Sequence, residues 1–317
     1  MTNQLRAETL LEDLKGQWPA TGRVVEAVLA VWPEHGRYAA KSLAARDAAM
    51  MGTTETLAEA ALVLAGDRLG AIAEHYRWTC DRLREEELFF HREGRYRLKT
   101  FAEADAEVYS NAAYMEKYMD GLLISQVLWV NHAASCHFFL TETPPLLQPG
   151  GRLLEIGPGH GLMMSLALRD FGLSTATAWD LSEVSLEQTR AALEKLGHHD
   201  CTFAVQNVMD VTAGAEPYDL VVLSEVLEHL EDPKSVMAPL HGLVRPETGL
   251  IFINVPINSP SPDHLYLMQT PDDARALLTD TGFEIVREGF YATQGTALER
   301  ALRNRISVSA CMLARPV

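Results

Sequence analysis

After Pro149, apolar runs of strand length alternate with segments of helix length, and this alternation constrains the fold more than any other feature of the chain. Strands buried on both faces have continuous apolar runs, and strands joined through helices form parallel sheets. The pattern therefore predicts an α/β fold whose ligands bind outside the carboxyl ends of the strands. The predicted strands are Arg152–Ile156, Thr175–Asp180, Thr202–Gln206, Leu220–Leu223, Leu250–Val255, Phe283–Tyr291 and Ser307–Leu313.

The first part of the chain has a different pattern. Over residues 2–139, apolar side chains recur at steps of three and four, which predicts mainly helices. The prolines within residues 141–145 indicate a boundary. We expect a helical cap or substrate domain over residues 1–145 and a cofactor domain over 146–317. Within residues 88–98, two apolar stretches flank a Glu-Gly pair, which predicts a small hairpin.

The charge balance and the cysteines limit the possible partners. The 317 residues include 43 acidic and 27 basic side chains, a formal charge of −16 that disfavours a phosphate backbone. The four cysteines lie far apart, without metal-ligand spacing, as is typical of reduced thiols. No secretory signal or membrane-length apolar run is present. We expect a cytoplasmic protein that binds a small molecule and no nucleic acid, membrane or metal; its oligomeric state is open, a homodimer being one alternative.

Three alternating glycines follow the first predicted strand, in the sequence Glu155-Ile156-Gly157-Pro158-Gly159-His160-Gly161. Glycine lets the backbone turn sharply and approach a ligand, and the start of the next helix offers unpaired amides. A dinucleotide-binding loop would have G-x-G-x-x-G, whereas the third glycine here comes one residue early. The spacing of the glycines therefore argues against NAD as the ligand.

This acidic residue and glycine pattern resembles class I S-adenosylmethionine-dependent methyltransferases. The resemblance covers Leu147 to about Ala314 and implies a Rossmann-like seven-stranded methyltransferase sheet, here with an N-terminal mainly helical domain. It also implies S-adenosylmethionine as the cofactor. The implied cofactor-binding residues are Glu155, Gly157, Gly159, Gly161, Asp180, Leu181, Asn207, Val208, Ser224 and Glu225.

Two of these positions carry particular expectations. The resemblance makes Asp180 the ligand of both ribose hydroxyls, a task suited to two carboxylate oxygens; capping of the next helix is the alternative. Asn207 stands where the family usually has the aspartate that receives the adenine amino group, and its amide oxygen can accept the same bond.

The run from Tyr218 to Pro233, in which the fourth strand is followed by Ser224-Glu225-Val226-Leu227-Glu228-His229, is similar to small-molecule methyltransferases of the quinone-methylating type. His229 is a candidate general base. The alternative is that these residues form an exposed acidic helix start, favoured by the helix dipole.

The helical part supplies a candidate pocket. Side chains at steps of three and four between Tyr114 and Phe139 are expected to share one face. The positions with this spacing are Tyr114, Tyr118, Leu122, Ser125, Trp129, His132 and Cys136. The alternative is that they form a helix seam that packs against the second domain. Tyr118, His132 and the adjacent Asn131 are candidate catalytic residues, and Tyr114 and Trp129 are candidate substrate contacts.

The loop after the fifth strand supplies the second set of substrate contacts. Three prolines stiffen it, so its polar side chains can be held in place with little ordering cost. The candidates are Asn258, Asp263, His264 and Tyr266. The alternative is a rigid surface loop in which His264 pairs with Asp263. A basic group at Arg300, Arg303 and Arg305 either holds an anionic substrate or forms a solvated helix face.

We expect in-line methyl transfer to oxygen, nitrogen or carbon of a small metabolite, with S-adenosylhomocysteine released. Alignment of the reactants can supply roughly 7–11 kcal/mol, and a positioned base ~100-fold to 10,000-fold. Two alternatives remain open, because they need the same nucleoside contacts. One is an azetidine-2-carboxylate synthase-type cyclisation of the cofactor that releases methylthioadenosine, and the other is a noncatalytic sensor.

Overall fold

The computed structural model describes residues 11–211 and 216–317. Helices dominate the first half, as the periodicity predicts. A five-residue π-helical turn, Asp105–Tyr109, follows α5. The helices are α1 (Pro19–Val31), α2 (Gly36–Ala44), α3 (Ala48–Ala65), α4 (Leu69–Glu93), α5 (Phe101–Ala104), α6 (Ala112–Leu128) and α7 (Val130–Glu142). No helix in the described ranges is long and apolar enough to cross a membrane.

The hairpin predicted within residues 88–98 is wrong. Helix α4 continues to Glu93, and Gly94 ends it with φ of 72° while its N–H donates to the carbonyl of Phe90. The glycine does adopt a positive φ, but it serves as the left-handed cap of a helix. A Glu-Gly pair between apolar stretches fits both structures, so the local pattern could not separate them.

The second half forms one seven-stranded sheet in the order β3-β2-β1-β4-β5-β7-β6. All seven predicted strands are present, with ends within a few residues of the prediction. The sheet is mixed because β7 is antiparallel to both β5 and β6. The strands are β1 (Arg152–Ile156), β2 (Thr175–Asp180), β3 (Cys201–Val205), β4 (Leu220–Ser224), β5 (Leu250–Ile257), β6 (Phe283–Ala292) and β7 (Val308–Pro316).

Helices cover both faces of the sheet. Successive strand residues point to opposite faces, so Leu153 and Phe252 belong to one buried cluster and Leu154 and Ile251 to the other. The helices of this half are α8 (Leu162–Asp170), α9 (Glu183–Lys195), α10 (Pro233–Leu243), α11 (Pro271–Thr279) and α12 (Leu298–Arg303). The first cluster includes residues of α8, α9 and the N-terminal helices, and the second includes residues of α10, α11 and α12.

Helix α7 joins the N-terminal helices to the sheet. The ring of Phe139 lies 4.9 Å from that of Phe252 in β5, measured between centroids. Both rings are fully buried in the cluster that also contains the N-terminal helices. The helical half and the sheet therefore share one hydrophobic core. The division of the chain into two domains at residue 145 stays a prediction.

The expectation of one continuous helical face from Tyr114 to Cys136 is wrong. Helix α6 ends at Leu128, and Trp129 has an extended backbone (φ −90°, ψ 127°) before α7 begins. The two tyrosines of the set therefore lie on a different helix from His132 and Cys136. A break of one residue preserves steps of three and four in the sequence, so periodicity alone could not reveal it.

Candidate active site

The glycine loop lies between β1 and α8, and all three of its glycines have positive φ: 64° at Gly157, 52° at Gly159 and 68° at Gly161. A Cβ added at Gly157 would lie 2.8 Å from Cγ2 of Val226, and one at Gly161 would lie 3.0 Å from Cγ of Leu193. Side chains therefore cannot be added there without displacing the neighbours, and the backbone remains open to a ligand.

Glu155 lies beneath this loop and is buried. Its Oε2 has no partner among the described residues. Burial raises the pKa of Glu155 to about 8, because the charged form loses its hydration, and the backbone amide of Met164 in α8 opposes this rise. An unpartnered buried oxygen can accept from an N–H donor whether or not the carboxyl is protonated, so this edge fits a cofactor with an amino group.

Asp180 ends β2 with a partly exposed carboxylate. Its Oδ1 accepts a bond of 2.8 Å from the backbone N–H of Ser182, and desolvation raises its pKa above the usual value. The cap of α9 is Ser182, whose hydroxyl accepts from the amide of Ser185. Asp180 is thus not the helix cap that the alternative proposed, and its carboxylate has room for further donors.

Asn207 follows β3 and is exposed. Its Oδ1 accepts a 2.9 Å bond from the amide of Met209, which caps a short turn, and Val208 inside that turn is buried. Leu181 and Met209 are 57% and 50% exposed at this same sheet edge. Such exposed apolar side chains suit the faces of a nucleobase. Met209 was not among the predicted site residues.

The end of β4 is held by Asn254 of β5, which the sequence did not single out. Its Nδ2 donates to Oγ of Ser224 at 3.1 Å and to Oε1 of Glu225 at 3.0 Å. Glu225 has φ of 57°, a conformation that non-glycine residues rarely adopt. Desolvation raises the pKa of Glu225 to about 7. A strained backbone with a perturbed carboxyl at a strand end is typical of functional sites.

A short turn after β4 places Glu228 inside the protein and leaves His229 partly exposed. Glu228 is 0% exposed and the His229 side chain 24%. Nδ1 of His229 lies 3.2 Å from the carbonyl oxygen of Asp263 and 3.1 Å from the hydroxyl of Tyr109. Tyr109 comes from the π-helical turn, and the helical periodicity gave no signal for it.

Asp263 is the buried centre of this arrangement. Its Oδ1 accepts bonds of 3.0 Å from the hydroxyls of Tyr118 and Ser261, and its Oδ2 lies 3.4 Å from the hydroxyl of Tyr109. Burial acts to raise the pKa of Asp263, but the charges of His229 and His264 and these hydroxyl donors lower it below the usual value.

His264 does not pair with Asp263 through a hydrogen bond, as the alternative for this loop proposed. Its Nδ1 lies 2.7 Å from the carbonyl oxygen of Ser259, and its Nε2 lies 3.9 Å from Oε1 of Glu228. Burial lowers the pKa of His264 to about 4. We call the following set the tyrosine–histidine cluster: Tyr109, Tyr118, Glu228, His229, Asp263 and His264.

Three predicted site residues bond to other parts of the protein. His132 is bonded at 3.0 Å to the hydroxyl of Ser125, and burial lowers its pKa to about 4. Trp129 donates from Nε1 to the hydroxyl of Tyr76 at 2.9 Å. Asn131 is buried and donates to a serine of β7 at 3.0 Å. These contacts join helices to one another and to the sheet, as expected if these three residues form a helix seam and not a substrate pocket.

The remaining predicted substrate contacts have mixed placements. Asn258 is buried and donates to the carbonyl of Gln269, so it holds its own loop. The amide of Tyr266 donates to the carbonyl of Glu228 at 3.0 Å, which ties the loop to the cluster. The ring of Tyr114 packs against that of Tyr118 at 6.1 Å. Of the basic group, Arg305 lies near a buried ring of α4.

The α/β sheet, the glycine loop and the polar strand ends together define a protein of the nucleoside-cofactor class. A family model described as a methyltransferase domain matches residues 131–305. The chain belongs to this methyltransferase family, and its cofactor is S-adenosylmethionine. The predictions of class I fold and of cofactor are therefore confirmed.

Individual relatives share parts of the chain. A ubiquinone biosynthesis O-methyltransferase of Neisseria meningitidis serogroup C is 34% identical over 124 residues, which cover 38% of this chain and 49% of that protein. The chain thus spans about half the length of the curated relatives it matches. Among solved structures, the cyclase SpnF has a TM-score of 0.47 at 15% identity, with 58% of this chain and 82% of that chain covered. A methyltransferase from Geobacter sulfurreducens, in complex with S-adenosyl-L-homocysteine, has a TM-score of 0.42 at 17% identity, with coverages of 56% and 90%.

Proposed function

We propose that this methyltransferase transfers a methyl group to a hydroxyl oxygen of a small neutral or cationic molecule and releases S-adenosylhomocysteine. The observation that carries the proposal is His229, a partly exposed imidazole oriented by buried groups at the end of β4. The named O-methyltransferase relatives support oxygen as the atom that is methylated.

The cofactor supplies a methyl group on a sulfonium, which is electrophilic without further activation. The glycine loop and Asp180 bind its nucleoside and methionine parts in this proposal, and Glu155 faces the cationic tail. The protein's main contribution is alignment, which can supply roughly 7–11 kcal/mol of the barrier. Because Gly157 packs on Val226, the cofactor loop and the turn that carries His229 are held in fixed relation.

His229 acts on the methyl acceptor in this proposal. The carbonyl oxygen of Asp263 accepts a hydrogen bond from the N–H at Nδ1 of His229. Nε2 is then unprotonated and can take the proton of the attacking hydroxyl. Tyr109 packs its hydroxyl between this imidazole and the carboxylate of Asp263.

The charge of the cluster bears on the class of methyl acceptor. Asp263 is the lasting negative charge beside His229, because its pKa is lowered and its Oδ2 lies 3.5 Å from Nδ1 of His229. Burial instead raises the pKa of Glu225 and Glu228. An anionic molecule would be repelled by Asp263, since charges interact strongly where water is excluded. A neutral phenol or an aminoalcohol fits better than a carboxylate or phosphate.

The test is product analysis with the full chain. S-adenosylmethionine is incubated with and without a panel of phenols and aminoalcohols, and nucleoside products are identified by mass spectrometry. We expect S-adenosylhomocysteine only with a hydroxylated acceptor, and a loss of kcat of ~100-fold or more in His229→Gln. The control is His198→Gln, which lies outside the cluster and bonds to Ser165.

Other products would contradict the proposal in distinct ways. Methylthioadenosine formed without any acceptor would favour intramolecular cyclisation of the cofactor. Label from a methyl-labelled cofactor on nitrogen or carbon of the product would overturn oxygen as the target. Binding of the cofactor without turnover on the whole panel would favour a sensor.

A further inference from the structure

Three hydrogen-bond acceptors converge within the tyrosine–histidine cluster. Neither oxygen of the buried Glu228 carboxylate accepts a bond from a donor within residues 11–211 and 216–317, and its neighbour Glu225 is a second carboxyl, so a proton or a cation must lie between acceptor groups here. Its Oε1 lies 3.8 Å from Nε2 of His229 and 3.9 Å from Nε2 of His264. One ligand atom from each residue lies within 4.8 Å of the other two. A buried carboxylate without partners requires an explanation.

The tautomers of the two imidazoles follow from their other nitrogens. Nδ1 of His264 lies 2.7 Å from the carbonyl oxygen of Ser259, and Nδ1 of His229 lies 3.2 Å from that of Asp263. A carbonyl oxygen only accepts, so the ring proton of His264 belongs on Nδ1. In His229 the same tautomer follows because the hydroxyl of Tyr109, 3.1 Å from Nδ1, donates its own proton to Oδ2 of Asp263. Both Nε2 lone pairs therefore face the carboxylate of Glu228. None of the three side chains then offers a hydrogen to the other two.

We propose that Glu228, His229 and His264 bind one divalent first-row transition-metal ion, with Zn²⁺ as the best match. Two imidazoles and one carboxylate are a known zinc set that leaves a fourth position open. Imidazole nitrogens favour zinc and its neighbours over Mg²⁺ or Ca²⁺, which prefer oxygen ligands. The carbonyls of Ser259 and Asp263 provide the outer bonds that usually orient metal-bound histidines.

The ligand atoms must draw closer together around this ion. Ligands ~2.0–2.1 Å from a tetrahedral zinc lie roughly 3.3 Å apart. The separations of 3.8 and 3.9 Å from Glu228 to the two imidazoles would close by about half an ångström, and the two Nε2 atoms, which lie within 4.8 Å of each other, by up to about 1.5 Å. Without an ion, burial and the charge of Glu225 raise the pKa of Glu228, so a proton is the competing occupant.

The sequence gave no signal for this site, because His264 comes from a different loop from Glu228 and His229. Metal binding itself does not depend on the proposed function. Where it deepens that function, it replaces the base step: Nε2 of His229 would bind the ion and could not also take a proton, so the hydroxyl of the methyl acceptor would occupy the open position and its proton would pass to solvent.

The test measures metal in the full chain without cofactor or methyl acceptor, so that its outcome is separate from that of the activity assay. Chelator-treated protein is titrated with Zn²⁺ against a competing dye, and bound zinc is counted by mass spectrometry. We expect one Zn²⁺ per chain, with affinity reduced at least ~100-fold in His264→Gln and Glu228→Gln. His198→Gln, the control histidine, keeps the wild-type affinity.

A second measurement does not depend on variants that fold. Co²⁺ bound by nitrogen and oxygen ligands gives visible absorption without the thiolate charge-transfer band that cysteine binding would produce. Absence of stoichiometric Zn²⁺ in the wild type, or equal losses in His264→Gln and His198→Gln, would overturn the proposal. So would a Glu228→Gln variant that is more stable while the wild type binds no metal, because Glu228 would then be a buried protonated acid.

Discussion

The cofactor edge and the tyrosine–histidine cluster lie at the same side of the sheet but are built differently. At the cofactor edge, by which we mean Gly157, Asp180 and Asn207 with their neighbours, each predicted contact lies at the end of one strand or soon after it. In the cluster, Tyr109, His229 and Asp263 come from three distant segments and meet only through the fold. The first region depends on backbone conformation and single carboxylates, and the second on a network of buried side chains.

Because of this difference, we expect the two regions to respond differently to single substitutions. A cofactor contact can be removed singly, because neighbouring contacts come from other strands. A network of buried polar groups loses more than one bond when any member is changed, since the remaining groups stay buried without partners. Substitutions in the first region should change cofactor affinity, and those in the second should change stability and turnover together.

The largest effect should come from the carboxylate at the end of β2. Two ribose hydroxyls bonded to a charged oxygen are worth roughly 1.5–3 kcal/mol each, so Asp180→Ala should weaken binding of S-adenosylhomocysteine by about 1,000-fold. Calorimetry of both proteins measures this, and Asp180→Asn, which keeps one oxygen, should lose less. Equal affinity of Asp180→Ala and wild type would remove Asp180 from the cofactor site.

The second effect concerns Glu155, which joins the cofactor edge to the core. Its pKa is raised to about 8 in the folded protein, so between pH 4.5 and 8 the folded state binds a proton that the unfolded state has lost. This contribution to stability is full below the unfolded pKa and is lost as the pH rises, by about 1.4 kcal/mol per pH unit.

Glu155→Gln removes that titration. Denaturant unfolding from pH 5.5 to 7.5 should show the variant gaining about 3 kcal/mol relative to wild type across this range. If the stabilities of the two proteins changed with pH in parallel, Glu155 would not be a buried protonated acid. Its carboxyl would then be charged in the folded protein.

How far the sequence predicts each region follows from the same difference. Buried strands read as continuous apolar runs, so all seven were predicted, together with the glycine loop and the acid at Asp180. The hairpin around Gly94 was wrong because a helix cap and a turn use the same glycine. The break at Trp129 was hidden because one extended residue leaves the periodicity intact.

The partners within the cluster could not be predicted at all. His229 and His264 were singled out separately, but their common neighbour Glu228 follows from the three-dimensional fold. Tyr109 lies in a π-helical turn, where the register differs from that of an α-helix. Long-range contacts among polar side chains leave no periodic pattern in one sequence.

A third effect tests the cluster directly. Tyr118→Phe removes the hydroxyl that bonds to buried Asp263 at 3.0 Å and to Ser261 at 2.5 Å, so stability should fall by about 2 kcal/mol and turnover should decrease, while cofactor affinity is unchanged. The matched control is Tyr114→Phe, one helical turn earlier, whose hydroxyl has no hydrogen bond among the described residues. A loss of cofactor affinity in Tyr118→Phe would contradict the separation of the two regions.

The smallest effect should come from Asn207, which contrasts with Asp180 within one region. Its side-chain oxygen already accepts a bond from the amide of Met209, so its contribution to the cofactor is shared with a structural cap. Asn207→Ala should cost about 1 kcal/mol, the usual value of a lost cap, and weaken S-adenosylhomocysteine binding only about fivefold. Asn207→Asp restores the carboxylate usual in the family and should bind at least as tightly as wild type. If Asn207→Ala instead matched Asp180→Ala in calorimetry, the nucleobase would depend on this one side chain, and the cofactor edge would be as sensitive to single changes as the cluster.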